Sequence, residues 1–372
     1  MTARVTAVYR VVADAATIVA RAGAIAVEQS VEMPLDAIDE AAILADVVGR
    51  VDAIADRGGG VFEVRIGLAA ATIGDDAGQL LNMAFGNTSL HEDVSLAGLE
   101  LPADLAALLG GPRHGLAGLR ARLGAADRAL TCSALKPQGL APERLADLAH
   151  RFALGGLDFV KDDHGLADQA YSHFAARVAA CALAVRRAAG ITGHPTRFVP
   201  SLSGSLDAMH RQVGAVRDAG LDTVMIAPMI AGWANVQALV RTCPDLAFIA
   251  HPTLGGAARI VPELLIGTLF PLLGADAVIF PNHGGRFGYS AETCRRLADN
   301  ARRPPHGQRP SLPVPAGGMT LGRVPEMLDF YGPDSMLLIG GSLLAARERL
   351  TDETTAFTRA VRDHTYRCSH DT

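Results

Sequence analysis

The chain carries only two lysines, Lys136 and Lys161, and each follows an apolar run typical of a buried strand. Arginine supplies every other member of the 34 lysine and arginine residues. Unlike the guanidinium of arginine, the amine of lysine can give up its proton in a protein. Lys161 also begins the tetrapeptide Lys-Asp-Asp-His, which ends at His164. The two lysines are therefore predicted to lie where a site requires an amine that can lose its proton.

Short apolar segments alternate with longer helical segments from Ala129 onward, which is typical of a parallel α/β fold. Eight such segments predict the strands of a (β/α)8 TIM barrel: 130–135, 157–160, 197–200, 223–227, 247–250, 277–280, 313–315 and 336–339. Active sites of these barrels lie at the carboxyl ends of the strands. The residues expected to meet there include Lys136, Lys161, His164, His251, His283, Gly317, Gly318, Gly340 and Gly341.

The N-terminal part of the chain has a different pattern. Strand-like alternation at 4–12, 50–55, 61–68 and 94–101 is interleaved with helical periodicity at 15–30 and 77–85. The order βαββαβ predicts a ferredoxin-like α+β domain. We expect this domain, with a linker helix, to span residues 1–125, and the barrel to span 126–372.

Composition excludes several classes of function. The formal net charge of −5 and a pI near 6.2 give no basic face for nucleic acid. No apolar run reaches the ~20 residues needed to cross a bilayer, and the first residues do not resemble a signal peptide, so a cytoplasmic protein is expected. The five scattered cysteines predict reduced thiols rather than disulfides or a zinc site.

The segment from Gly155 to His164 resembles the metal-site motif of the RuBisCO large subunit and of the RuBisCO-like proteins. It reproduces nine of the ten motif positions, with His164 in place of the final glutamate. The resemblance implies that Lys161 reacts with CO2 to form a carbamate, which binds Mg²⁺ together with Asp163 and His164. It also implies that Asp162 points away from the metal. The alternative is that Lys161 remains an ordinary amine paired with an aspartate.

His164 is expected to change the choice of metal. A carbamate and a carboxylate are hard oxygen ligands that suit Mg²⁺. An imidazole nitrogen shifts the preference toward Mn²⁺ or another transition ion. Divalent metal and CO2, bound as the carbamate on Lys161, are therefore the predicted cofactors.

Lys136 begins the segment Lys-Pro-Gln-Gly-Leu, which resembles the family motif Lys-Pro-Lys-x-Gly-Leu. The family gives the first lysine a general acid/base role, and Gln138 replaces the second lysine. A buried amine beside a cation can have its pKa lowered enough to transfer a proton. The alternative is a structural ion pair between Lys136 and Asp158 or Asp163.

Other predicted site residues lie at later strand ends. Backbone N–H groups at the glycine pairs 317–318 and 340–341 predict a phosphate cradle, and these pairs also resemble the family's phosphate-binding segments. His251 resembles a family active-site histidine, but Pro252 stands where RuBisCO has a phosphate-binding arginine. His283, in a glycine-rich loop without a clear family match, is a further catalytic candidate. Either histidine could instead be structural.

Glu28 and Asn87, in the small domain, resemble a glutamate and an asparagine that reach into the barrel of a partner subunit. The resemblance therefore implies a homodimer with shared sites.

The segment 281–300 contains no lysine, whereas RuBisCO uses a lysine there to stabilise added CO2. The sequence therefore predicts a RuBisCO-like protein that does not fix CO2 and that forms an enediolate from a phosphorylated keto-sugar or keto-sugar acid. A decarboxylase or carbon-carbon lyase of the 3-oxo-isoapionate 4-phosphate type is favoured. The alternatives are an enolase or isomerase of the methionine-salvage type, a true ribulose-bisphosphate carboxylase, and a noncatalytic sugar-phosphate sensor.

Overall fold

A computed structural model describes residues 3–125 and 127–366 of the protein. Its N-terminal part is a four-stranded antiparallel sheet in the order β2-β3-β1-β4. The strands are β1 (Arg4–Val12), β2 (Arg50–Asp56), β3 (Val61–Ala69) and β4 (Val94–Glu100). With two crossing helices this is the ferredoxin-like order predicted from the sequence.

Alternation along β1 explains how this sheet buries one face. Val5, Ala7, Tyr9 and Val11 are fully buried, as expected for a period of two residues. They join the core formed with the two longer helices of the domain. The helices are α1 (Ile18–Glu28), α2 (Ala41–Asp46) and α3 (Ala77–Phe85).

Two helices, α4 (Ala103–Leu109) and α5 (Gly115–Ala121), connect the sheet to the second part of the chain. The sequence predicted one linker helix over 102–126. Gly110 and Gly111 separate the two helices, because both adopt positive φ angles of 118° and 145°.

Eight parallel strands form the second part and produce two hydrogen-bonded sets, β12-β5-β6-β7 and β8-β9-β10-β11. A parallel bridge between Ser201 and Met225 joins β7 to β8, and β11 lies beside β12. The strands are β5 (Leu130–Leu135), β6 (Phe159–Asp162), β7 (Arg197–Val199), β8 (Thr223–Ile226), β9 (Ala247–Ala250), β10 (Ala277–Pro281), β11 (Leu312–Ala316) and β12 (Met336–Leu338). The predicted (β/α)8 barrel is confirmed.

Helices surround this barrel. They are α6 (Pro142–Leu154), α7 (Phe174–Thr192), α8 (Leu206–Asp218), α9 (Pro228–Ala231), α10 (Trp233–Thr242), α11 (Pro262–Leu264), α12 (Phe270–Leu272), α13 (Ala291–Arg302), α14 (Val324–Tyr331), α15 (Gly341–Leu344) and α16 (Leu350–Arg362). A π-helical stretch, Leu265–Leu269, joins α11 to α12. None of the helices in the described ranges is long and apolar enough to cross a membrane.

Strand β6 extends further than the sequence predicted, and this matters for the site. The apolar run ends at Val160, but the strand includes Lys161 and Asp162, which pair in register with Ala134 and Leu135 of β5. Backbone hydrogen bonds to the neighbouring strand β5 hold these residues in an extended conformation, although their side chains are charged rather than apolar. Lys161 is therefore part of the rigid barrel wall rather than of a loop.

Four of the five cysteines, Cys132, Cys181, Cys243 and Cys294, are buried free thiols. Cys368 lies outside the described residues. These four agree with the prediction of reduced thiols.

Candidate active site

Lys161 lies at the carboxyl end of β6 and is only 3% exposed. Its Nζ donates a hydrogen bond to the backbone oxygen of Asp162 at 2.9 Å. Burial lowers the pKa of the Lys161 ammonium from its usual value, because the charged form loses its hydration. A larger fraction of neutral amine follows, which is the form that can react with CO2.

Asp163 connects the two lysines of the chain. Lys136, at the end of β5, forms an ion pair through Nζ with Oδ1 of Asp163, and His164 Nδ1 lies 3.5 Å from the same oxygen. Burial would raise the pKa of Asp163, but hydrogen bonds from His164 and Lys136 outweigh it and hold that pKa far below its ordinary value. The carboxylate therefore stays charged over the physiological pH range.

Asp162 points away from this group, as the resemblance implied. Its Oδ2 accepts hydrogen bonds at 3.1 Å from Arg177 Nε and from the backbone N–H of Ser201. Asp162 and Arg177 are both fully buried. This ion pair ties β6 to helix α7 immediately behind Lys161.

His251, which follows β9, lies against His164. The two imidazole rings stack with centroids 4.5 Å apart and an interplanar angle of 10°. Nδ1 of His251 accepts a hydrogen bond from the backbone N–H of Thr253 at 3.2 Å and lies 2.8 Å from the Thr253 hydroxyl oxygen. Burial lowers the pKa of His251 to about 2, and the positive charges of Lys161 and His164 act in the same direction. His251 is therefore neutral.

His283 follows β10, but its ring contacts are with helix α14. The ring centroid lies 4.5 Å from that of Phe330 and 6.3 Å from that of Tyr331. Its backbone oxygen accepts hydrogen bonds from Arg323 at 3.3 Å. A catalytic role for His283 stays a prediction, since these contacts fit a structural histidine equally well.

The glycine pairs lie where the sequence placed them, after β11 and β12. Gly317 and Gly318 have φ angles of 83° and 85°, and a Cβ on Gly318 would lie 3.1 Å from the Cα of Gly285 in the loop after β10. The positions of Gly340 and Gly341 face open space. Within the described chain, the N–H groups of these four glycines donate to no backbone acceptor. They are available to an anion.

Glu28 and Asn87 lie together in the small domain; their predicted reach into a partner's barrel stays a prediction. The side-chain amide of Asn87 donates hydrogen bonds of 3.0 Å to both Glu28 and Glu32. Within one chain these residues contact each other rather than the lysine cluster. A role in catalysis therefore requires a second subunit.

Sequence reasoning missed Arg177, Thr253 and Glu32. A signal existed for Arg177, because it shares a helix face with the buried Val178 and Cys181 at helical spacing. No sequence pattern indicates the other two contacts. Thr253 meets His251 because of a turn, and Glu32 meets Asn87 because two distant segments pack together.

The donors in the cluster can be compared with the predicted metal site. In the ranges 3–125 and 127–366, no three His, Cys, Asp or Glu residues are grouped to hold a metal ion. Asp163 and His164 place one oxygen and one nitrogen 3.5 Å apart. These are two ligands, and the predicted site needs three. A carbamate on Lys161 would supply a further anionic oxygen. The residues fit a divalent cation only if Lys161 is carbamylated.

Several known proteins are similar to this chain in sequence and in fold. A sequence profile of the ribulose bisphosphate carboxylase large chain, catalytic domain, matches residues 115–261. A 5-methylthioribulose-1-phosphate isomerase from Rhodospirillum rubrum is 62% identical over 362 residues, which cover 97% of each chain. The chain belongs to the RuBisCO large-chain family. Within that family it belongs to the RuBisCO-like proteins, which include a relative from Rhodopseudomonas palustris that is 57% identical over 364 residues, 98% of this chain and 99% of the relative.

A solved structure extends the likeness to the whole fold of this RuBisCO-like protein. The Rubisco-like protein from Rhodopseudomonas palustris superposes with a TM-score of 0.92 and 50% identity, and the match covers 99% of this chain and 100% of that one. Both the small antiparallel domain and the barrel are therefore shared. The RuBisCO-like protein is an enzyme of a family whose named members include isomerases and enolases.

Proposed function

We propose that this RuBisCO-like protein isomerises 5-methylthioribulose 1-phosphate. The observation that carries the proposal is its 62% identity, over 97% of both chains, to an enzyme named for that reaction. The decarboxylase favoured from the sequence gains no support from the relatives, whereas the methionine-salvage alternative does. The substrate has one phosphate, which agrees with Pro252 at the position of the arginine that binds a second phosphate in RuBisCO.

Isomerisation of a ketose phosphate removes a proton from a carbon beside the carbonyl group and returns a proton to a different carbon. Lys136 is the group that we assign to this transfer, because it is partly exposed at the barrel mouth and its amine can change protonation state. Asp163 holds the Lys136 ammonium in place by its negative charge. The buried pair of Asp162 and Arg177 fixes the strand that carries Lys161 and ends immediately before Asp163.

The two glycine pairs bind the phosphate in this proposal. Their N–H groups donate to no backbone acceptor, and oriented backbone donors are suited to anions. The small domain of a partner subunit completes the site through Asn87, so the working unit is a homodimer. Carbamylated Lys161, Asp163 and His164 would hold a divalent cation, which would supply Lewis-acid polarisation of the substrate carbonyl.

The test is to incubate the purified protein with 5-methylthioribulose 1-phosphate and Mg²⁺ or Mn²⁺ in D2O, and to follow ³¹P, ¹H and ¹³C NMR. We expect an isomeric sugar phosphate with no loss of carbon. Lys136→Met should slow the conversion by roughly 100-fold or more, while the exposed-surface variant His210→Glu should leave it unchanged. Absence of turnover by the wild-type protein with every metal would refute the proposal.

A second candidate is the enolisation of 2,3-diketo-5-methylthiopentyl 1-phosphate. A relative from Geobacillus kaustophilus with this named activity is 31% identical over 294 residues, 75% of this chain and 70% of that enzyme. The same assay with the diketone as substrate separates the two functions. Preference for the diketone, measured as kcat/KM, would replace the isomerase assignment by the enolase.

A further inference from the structure

The turn after β9 holds the imidazole of His251 through one of its two ring nitrogens, Nδ1. Nδ1 accepts a hydrogen bond from the backbone N–H of Thr253 at 3.2 Å and lies 2.8 Å from the hydroxyl oxygen of the same residue. Pro252 lies between the two residues and has no N–H, so Thr253 carries the first amide after His251. A hydrogen bond from Gly255 N–H to the Pro252 oxygen at 2.9 Å closes this turn.

These contacts decide which ring nitrogen carries the proton. A backbone N–H can only donate, so Nδ1 must present its lone pair to Thr253. A neutral imidazole with an unprotonated Nδ1 carries its proton on Nε2. Among the described residues, the side-chain hydrogen bonds of His251 are made through Nδ1, and none is made through Nε2, which leaves that N–H for another molecule.

The ring plane is fixed from a second side. His164 stacks on His251 with an angle of 10° between the rings, so the imidazole of His251 cannot turn without losing that contact. Thr253 therefore sets the tautomer, and His164 sets the plane. Both constraints act on a side chain that lies beside Lys161 and Asp163.

We propose that Thr253 is a positioning residue that holds His251 with its proton on Nε2, so that His251 donates a hydrogen bond to a substrate oxygen and does not act as the base. This division of roles leaves proton transfer to Lys136. The identity of the oxygen, carbonyl or hydroxyl of a keto-sugar phosphate, rests on the proposed function. The tautomer itself does not depend on it.

The first test needs no substrate. Long-range ¹H–¹⁵N NMR of the ¹⁵N-labelled protein without added metal distinguishes protonated from unprotonated ring nitrogens, and His251→Gln assigns the signals. We expect an unprotonated Nδ1 and a protonated Nε2. A proton on Nδ1 would overturn the inference, whatever the substrate proves to be.

Two variants then test the role of Thr253. Thr253→Val keeps the shape and the backbone donor but removes the hydroxyl, so we expect a shift of the Nδ1 resonance and a kcat about tenfold lower, with KM little changed. Thr253→Ser restores the hydroxyl and should return both values to near wild type. If Thr253→Val changes neither the resonance nor kcat, Thr253 does not position His251. If the wild-type protein does not isomerise the substrate, the proposed function is refuted, while the spectrum still decides the tautomer.

Discussion

Lys136 forms an ion pair with Asp163, the carboxylate that lies between Lys161 and His164 in the sequence. The same carboxylate oxygen lies 3.5 Å from His164 Nδ1. Lys136 and His164 therefore both lie close to one oxygen of Asp163, a predicted metal ligand. A divalent cation held by Asp163 would compete with the Lys136 amine for this carboxylate.

Removing the Lys136 amine should separate its two roles. Lys136→Met is expected to lower kcat by roughly 100-fold or more, the usual contribution of a positioned acid or base. The same variant should bind Mn²⁺ several-fold more tightly in titrations with bicarbonate, because the competing ammonium is gone. Lys136→Arg is the matched control: it keeps the charge and the competition but cannot release a proton. Substantial activity in Lys136→Arg would contradict the assigned role.

His164→Glu restores the family motif and should change the metal preference. Replacing an imidazole by a carboxylate favours Mg²⁺ over Mn²⁺ and Zn²⁺, since hard oxygen ligands suit Mg²⁺. The measurement is the ratio of dissociation constants for these ions by calorimetry. His210→Glu, the same substitution on an exposed residue of α8, controls for the added charge. An unchanged ratio would mean that His164 is not a ligand.

Shared sites can be tested by mixing inactive subunits. Asn87→Ala removes the small-domain residue, and Lys161→Met removes the barrel residue. Random mixing of the two should restore about a quarter of the wild-type activity, because half of the dimers then contain one intact site. Lys136→Met mixed with Lys161→Met should restore nothing, since both residues belong to the same barrel. Equal results for the two mixtures would exclude a site completed by the partner.

The amino-terminal side of β6 carries a buried carboxylate that links stability to pH. Asp158 is fully buried and accepts hydrogen bonds of 2.6 and 2.7 Å from Arg128 and of 2.8 Å from the Thr131 N–H. Burial would raise the pKa of Asp158, but these bonds outweigh it and lower that pKa to about 2. A pKa depressed on folding stabilises the protein fully above about pH 4, the unfolded value, and this stabilisation is lost as pH falls toward 2.

Asp158→Asn should therefore lower the free energy of unfolding by about 2 kcal/mol at pH 7. The difference from wild type should shrink between about pH 4 and pH 2, as measured by urea unfolding across that range. Asp36→Asn, at an exposed position, is the control and should have little effect. A difference that stays constant down to pH 2 would show that Asp158 gains nothing from its charge on folding.

The sequence predicted much of this arrangement because both periodicity and motif act locally. The alternation of apolar segments located all eight barrel strands, and the decapeptide ending at His164 located the lysine cluster. Prediction from apolar segments failed where polar residues belong to a strand. Lys161 and Asp162 belong to β6 because β5 pairs with them, and no property of their own side chains indicates this.

Contacts between distant segments could not be predicted in the same way. The pairing of Asp162 with Arg177 depends on how α7 packs against the barrel. The two hydrogen bonds from Asn87 depend on a helix end nearly 60 residues earlier in the chain, at Glu28 and Glu32. Thr253 reaches His251 only because the turn brings its amide back to the ring. Each of these is a property of the folded chain.

A carbamate on Lys161 would complete the predicted metal site. The most direct measurement is ¹³C NMR of the protein with ¹³C-labelled bicarbonate, with and without Mg²⁺ or Mn²⁺, in the wild type, Lys161→Ala and Lys136→Ala. With only two lysines in the chain, these two variants assign a lysine carbamate signal to its residue. We predict a carbamate signal that strengthens with Mg²⁺, persists in Lys136→Ala and disappears in Lys161→Ala. Absence of any carbamate in the wild type, with either metal, would contradict the account and leave Lys161 as a free amine.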